Sequence, residues 1–546
     1  MAVAAPFVQT APATPRAWSD DWLLRSVLRH RLPPEVLLAI SPALLEMEAL
    51  AAGPLAQLQM ADREREPVHT PWDAWGNRID RIEATPLWQA AEPLAARHGL
   101  VAIPYEKQHG RCSRMHQFAL VHLFHPVSDM YTCPLAMTDG AARALLESDN
   151  AALIERALPH LTSRDPASFW TSGQWMTEST GGSDVGASQS RAVRTSDGSW
   201  RLAGKKWFTS AATSQMALTL ARPEGNGPGG SGLAMFYLET RDTDGRLNGI
   251  RIERLKDKLG TRKVPTAELT LDDAHAQLVA GTSHGTRTIE PMLRITRAWN
   301  SVCAASLMRH GYLLARDYAA KRRAFGVRLI ELPLHAETLA DLDAESAGAL
   351  LLTFELIDLL GRQESHELDD AGAALLRLLT PVTKAVTGRQ AVAAASETLE
   401  AFGGAGYLED TLLPALLRDA QVLPIWEGTT NVLALDALLR ADFTAGATAL
   451  RTRIATVHQR MADPALRAAT ETAVRAVDRG IAWQRTAADD ERALQAGARR
   501  LVLSLGRAFE LALLAELADA AAIEGDDRSA ARRACLRLQA AGYFFV

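Results

Sequence analysis

Three short segments hold residue types that packing alone explains poorly. In Pro424-Ile425-Trp426-Glu427-Gly428-Thr429-Thr430-Asn431, a carboxylate stands just ahead of the helical run Val432 to Arg440. Thr429 or Thr430 is a natural N-cap, and a helix start attracts anions, a phosphate included. With Trp426 on one side and Gly428 on the other, Glu427 suits an apolar, water-poor pocket where a carboxylate works as a base. An acidic residue that merely helps a helix begin explains the same pattern. In Gly204-Lys205-Lys206-Trp207-Phe208-Thr209-Ser210, strand alternation places Lys205, Trp207 and Thr209 on one side, offering an indole and a hydroxyl to a flat heterocycle. A half-buried strand with a core Trp is the competing reading. The third segment, Trp175 to Asp184, contains Met176-Thr177-Glu178-Ser179-Thr180-Gly181-Gly182-Ser183. Its paired glycines and hydroxyls make a loop able to meet a polar ligand edge, or an ordinary surface turn.

The elements that must position these residues follow one another in blocks. The chain has 546 residues, 47% hydrophobic and 23% charged, so it exceeds one ordinary core and reads as folded rather than disordered. Residues 1–167 read as a tail, Met1 to Pro15, followed by helices. Leu37 to Leu58 is one, Gly140 to Leu158 another that starts at Thr138 or Asp139, and Trp72 to Ile82 forms a small hairpin. Residues 168–284 favour strands: Ala192 to Thr195 and Trp200 to Ala203 flank an Asp197-Gly198 turn. Met216–Ala221, Leu233–Glu239, Ile250–Leu255 and Thr266–Leu271 continue the unit. In residues 285–440 the helical period returns, with Leu339, Leu342, Ala349, Leu350, Leu356, Ile357 and Leu360 on one core-facing stripe. Residues 441–546 are a further helical block.

Composition narrows the function classes. The net charge of −5 does not mark the chain as a nucleic-acid binder. Cys112, Cys133, Cys303 and Cys535 lie far apart, without a CxxC pair or a nearby His at ligand spacing, which predicts buried thiols and no metal site. The longest apolar stretch, Leu501 to Ala522, is interrupted by Arg507, Glu510, Glu516 and Asp519, so no membrane association is expected. With no signal-like N-terminus the expectation is a cytoplasmic protein.

Taken in order, the segments resemble the acyl-CoA dehydrogenase family from about Met137 to Arg440. They run as a loop with Thr177, Glu178, Ser183 and Asp184, a strand with Gly204, Lys205, Trp207 and Thr209, and then Arg322, Ala324, Phe325 and Gly326. A turn of Phe402, Gly403, Gly404 and Gly406, the Arg418-Asp419 pair and the Trp426-Glu427-Gly428-Thr429 segment complete the series. The resemblance implies a mainly α, α+β fold: an N-terminal helical domain, a barrel-like β domain, a four-helix bundle and an added C-terminal helical domain. It implies FAD as cofactor, contacted by Met176, Thr177, Gly182, Ser183, Trp207, Thr209, Arg322, Phe325, Glu400, Gly403, Gly404, Thr429 and Asn431. Arg322 and the glycine turn would serve the FAD of a neighbouring subunit, which makes the expected state a homotetramer. Glu427 would be the base in α,β-dehydrogenation of an acyl-CoA thioester, with an electron-transfer flavoprotein as electron acceptor. Some relatives carry the base near the segment here reading Leu293 to Arg297, which has Thr296 and no carboxylate. Two positions depart from the family pattern, Glu400 and Pro333, where Gln is usual.

The segment Trp72 to Asp80, Cys133-Pro134, Met137-Thr138, Leu255 to Gly260 and the C-terminal block resemble the AidB-type, DNA-alkylation-response branch. That likeness implies feeble dehydrogenase activity at most and double-stranded DNA binding through the C-terminal domain. From Ala441 onward there are 15 Arg and no Lys against 13 Asp plus Glu, a local charge of +2, which leaves −7 elsewhere. Arg451, Arg453, Arg460, Arg499, Arg500, Arg532, Arg533 and Arg537 can reach phosphates if they share a face; a salt-bridged helix surface accounts for them equally.

Overall fold

The computed structural model describes residues 9–542, and its elements follow the expected order of helices, strands, helices and more helices. The tail lies partly outside the described residues. From residue 9 it is laid on the chain rather than loose: Tyr318 donates to the Gln9 side chain at 2.6 Å and the Ala13 N–H to Asp317 at 2.8 Å. Pro34–Leu50 continues through Ala51–Leu55 into Ala56–Asp62 as one rod. This rod, and not Leu501 to Ala522, is the described helix long and apolar enough to cross a membrane, with a mean hydropathy of 1.6. Ile40, Leu44 and Met47 are buried on it, and it packs on helix Ser113–Phe124. Glu48 is buried too, because the Trp18 and Ser19 N–H groups bond its carboxylate at 2.6 and 3.0 Å.

The small hairpin is present as β1 (Val68–Trp72) and β2 (Arg78–Glu83), antiparallel around a turn whose Asp73 accepts from the Trp75 and Asn77 N–H groups. The expected helix start at Thr138 or Asp139 is absent. Helix Thr132–Leu146 runs straight through both residues, and a second helix, Ala151–Leu161, starts at Asn150, which caps the Leu153 N–H. Both candidate caps are engaged elsewhere. Thr138 bonds back to the Pro134 carbonyl and accepts from Ser172 N–H, while buried Asp139 binds Arg114, Gln117, Tyr105 and Trp299.

The middle unit has seven strands: β3 (Ser172–Trp175), β4 (Arg191–Arg194), β5 (Trp200–Thr209), β6 (Met216–Pro223), β7 (Ala234–Glu239), β8 (Ile250–Leu255) and β9 (Ala267–Leu278). The order β6-β4-β5-β9-β7 returns to β6, so the sheet closes on itself, with β3 added on β6 and β8 on β9. Within the ring each strand has a neighbour on both sides, while β3 and β8 each pair on one side only. Its interior holds a core of its own, with Trp175, Trp200, Leu202, Phe236, Leu238, Ile252 and Leu269.

Three long helices follow, Glu290–Lys321, Pro333–Glu364 and Asp370–Ala401, packed against one another. The stripe from Leu339 to Leu360 is buried as its period predicts. The fourth member of the bundle is broken: Leu413–Ala420 ends, residues 421–429 turn, and Thr430–Leu435 resumes. Four C-terminal helices, Phe443–Arg460, Pro464–Ala487, Glu491–Asp519 and Gly525–Ala541, share one continuous core with the bundle. Arg453 fastens the join, pairing with Glu355 of the bundle and with Glu516. All four cysteines are buried and unpaired.

Candidate active site

The break in the fourth bundle helix is where Glu427 sits. Its φ is +57° and that of Gly428 +101°, a left-handed pair that throws the carboxylate away from the helix that follows. For a residue other than glycine this costs about 1–3 kcal/mol and persists only where the surroundings enforce it. Here they do. Glu427 accepts a hydrogen bond from the Thr296 hydroxyl at 2.6 Å, its carbonyl accepts from Arg297 Nε at 3.2 Å, and the Gly428 carbonyl accepts from Lys384 at 2.6 Å. Arg297 is held in turn by buried Asp436 at 2.7 Å, which also receives Arg377 at 2.8 Å. Burial raises the Asp436 carboxyl, but the two guanidiniums prevail and hold it below the ordinary range. Thr429 is the N-cap, accepting from Val432 N–H, and Asn431 accepts from Arg499 of the C-terminal block at 3.2 Å. Nearby, burial pushes the Cys133 thiol up to about 12, with Lys258 drawing it down and Glu427 pressing it up.

On the barrel, the Thr177 loop and β5 lie side by side: the Trp207 N–H donates to the Thr177 carbonyl at 2.9 Å. Beneath them Lys206, fully enclosed, pairs with Glu178 at 2.8 Å and donates to the Leu220 carbonyl. Glu178 also takes the Gln189 and Ser190 N–H groups, which anchors the loop. Met176 is buried, Ser183 is exposed, and Gly182 is required, since a Cβ there would meet the Thr177 hydroxyl at 2.8 Å. Strict alternation fails after Lys206, where the register against β9 shifts. Trp207 and Phe208 therefore both face outward, under the Lys256 ammonium, which lies 3.5 Å from the Trp207 ring centre. Thr209 turns inward, and its hydroxyl donates to the Ala267 carbonyl at 2.6 Å.

The barrel edge meets the bundle beside the Glu427 turn. The Thr261 N–H donates to Asp419 at 2.5 Å, and Gly260 lies so close to the Arg418 carbonyl that a Cβ would sit 2.3 Å from it. The remaining predicted residues gather elsewhere. Arg322, Glu400, Gly403 and Gly404 line one 540 Å³ hollow together with Tyr318 and Phe402, whose rings stack at 4.4 Å. Phe325 is 94% exposed at the tip of the adjoining hairpin, β10 (Arg323–Ala324) and β11 (Val327–Arg328). Thr296 and Arg322 lie near opposite ends of one helix, about 39 Å apart at 1.5 Å per residue.

Comparison with known proteins accounts for this layout. Residues 13–166 match the adaptive response protein AidB N-terminal domain, 173–274 the acyl-CoA dehydrogenase middle domain and 283–441 its C-terminal domain. "Acyl-CoA dehydrogenase family member 11" of Caenorhabditis elegans is 44% identical over 441 residues, covering 79% of this chain and 72% of that protein. "Putative acyl-CoA dehydrogenase AidB" of Escherichia coli is 32% identical over 438 residues, covering 78% of each. The chain belongs to the acyl-CoA dehydrogenase family and is of AidB type. The C. elegans ACDH-11 structure in complex with C11-CoA superposes with a TM-score of 0.93 at 38% identity, over 98% of this chain and 93% of that one. FAD is the cofactor of the family, and the fold is shared with a Bacillus anthracis acyl-CoA dehydrogenase complexed with FAD, at 16% identity and a TM-score of 0.71.

In this acyl-CoA dehydrogenase the C-terminal arginines are largely occupied by the chain itself. Arg451 pairs with Asp478, Arg453 with Glu355 and Glu516, Arg532 with Asp463, and Arg537 with Asp341 and Glu337. The residues that reading by motif missed are Thr296 as the hydrogen-bond partner of Glu427, and Lys384 and Asp436 behind it. Thr296 carried a signal, since it stands in the very segment where other members place a base.

Proposed function

We propose that this chain dehydrogenates an acyl-CoA thioester between its α and β carbons, with Glu427 as the base. The carrying observation is the Glu427 carboxylate, ordered on Thr296 by a turn that cations from two other helices fasten. An α C–H beside a thioester is weakly acidic, so its removal needs a fixed base and hydrogen bonds to the thioester oxygen. The chain fits FAD in two places. Trp207 and the Thr177 loop offer a flat face with an adjacent carbonyl and hydroxyl. The Arg322 hollow offers a guanidinium and two glycines with nothing within 4 Å of a would-be Cβ, which suits a diphosphate. FAD, when bound, supplies the acceptor for the β-hydrogen. Glu427 keeps the α-proton, and the product is a 2,3-enoyl thioester.

A homotetramer, in which a second copy completes each FAD site, draws on the family relationship. Electrons would pass on to an electron-transfer flavoprotein, in the cytoplasm. The DNA-alkylation-response role, with duplex DNA on the C-terminal block, draws on the AidB-type relationship. The carboxylate partners of Arg451, Arg453, Arg532 and Arg537 weigh toward the dehydrogenase reading. The test is anaerobic addition of butanoyl-, octanoyl-, undecanoyl- and hexadecanoyl-CoA to the FAD-loaded protein. Bleaching of the visible flavin band with formation of the 2,3-enoyl-CoA is expected for at least one chain length; an oxidised flavin with all four contradicts the proposal.

A further inference from the structure

Lys384 lies on helix Asp370–Ala401 with 0% of its surface exposed. Burying an ammonium is costly unless a partner compensates. Its Nζ donates 2.6 Å to the Gly428 carbonyl, a main-chain oxygen one residue past Glu427. The Glu427 carbonyl is held by Arg297, so two successive carbonyls of a left-handed turn each meet a cation from a different helix. The charged groups that face Lys384 are Glu427 and Arg297. Burial pushes the ammonium down to about 7, with Glu427 drawing it up and Arg297 pressing it down.

We propose that Lys384 is a positioning residue for the base: it fixes the Glu427-Gly428 turn through its hydrogen bond to the Gly428 carbonyl. A displaced turn moves Glu427 off Thr296 and away from the α-carbon, and small displacements of a catalytic group cost large factors in rate. The proposal rests on the dehydrogenase reading above and deepens it.

The test compares the wild type with Lys384→Met, Lys384→Gln and Lys384→Arg, each loaded with FAD. Deuterium uptake at the α-carbon of undecanoyl-CoA in D2O reports proton removal without requiring turnover. Lys384→Met should slow exchange by about tenfold or more, with FAD content and undecanoyl-CoA affinity held near wild type. Lys384→Gln and Lys384→Arg, which each keep a donor for the Gly428 carbonyl, should recover part of the rate. Wild-type exchange in Lys384→Met overturns the proposal, as does a drop matched by equal loss of FAD or undecanoyl-CoA binding. Absence of exchange in the wild type, with no bleaching by any acyl-CoA, overturns the dehydrogenase reading itself and this inference with it.

Discussion

The two ends of helix Glu290–Lys321 are built on opposite principles. Near its start, Thr296 and Arg297 hold a single turn whose carboxylate and two carbonyls are each bonded, with buried Asp436 behind. At its end, Arg322 borders an open hollow beside two glycines and an exposed Phe325. The first is a half-buried turn whose polar groups are bonded within one chain. The second is an open hollow in which Gly403 and Gly404 have nothing within 4 Å of a would-be Cβ. The proposed base belongs to the first, and the proposed diphosphate contact to the second.

Substitutions at the two ends should separate cleanly. Asp436→Ala leaves Arg297 without its buried partner, and breaking such a pair costs about 3–5 kcal/mol. Thermal unfolding should register that loss, and acyl-CoA-dependent flavin bleaching should slow while FAD content persists. Arg322→Ala should do the reverse. Loss of a charge-assisted phosphate contact, worth about 1.5–3 kcal/mol, weakens FAD about 10- to 100-fold by fluorescence titration. A variant at 322 that unfolds the chain, or one at 436 that releases FAD, breaks the contrast.

Acid sharpens it further. The Asp436 carboxyl is held below its ordinary value in the folded chain, so its stabilisation is full above the unfolded value and is lost as pH falls through the folded one. Melting temperature should therefore decline on acidification more steeply in the wild type than in Asp436→Ala. The smallest effect is expected at the C-terminal block. With Arg451, Arg453, Arg532 and Arg537 occupied by carboxylates, duplex DNA retention in a gel shift at about 150 mM salt should be weak, with a shallow salt dependence.

Much of this was legible in the residues. The Asp197-Gly198 turn, the buried Leu339-to-Leu360 stripe and the Thr429 cap are local consequences of residue type and period. The errors came where tertiary partners outbid local preference. Thr138 and Asp139 look like caps, yet a buried network claims Asp139 and a strand claims Thr138. Thr209 left the face shared with Trp207 because the pairing of β5 with β9 slips after Lys206, and a one-residue slip reverses every later side chain. Thr296 and Lys384 meet the Glu427 turn from 131 and 44 residues away, and a helical period shows which side is buried but not what it meets.

The central claim is tested most directly by Glu427→Gln, which keeps size and hydrogen-bonding while removing the base. Under anaerobic stopped flow with an acyl-CoA that bleaches the wild type, the variant should hold its FAD and lose about 10³-fold or more in bleaching rate. Bleaching of Glu427→Gln at the wild-type rate would contradict the account.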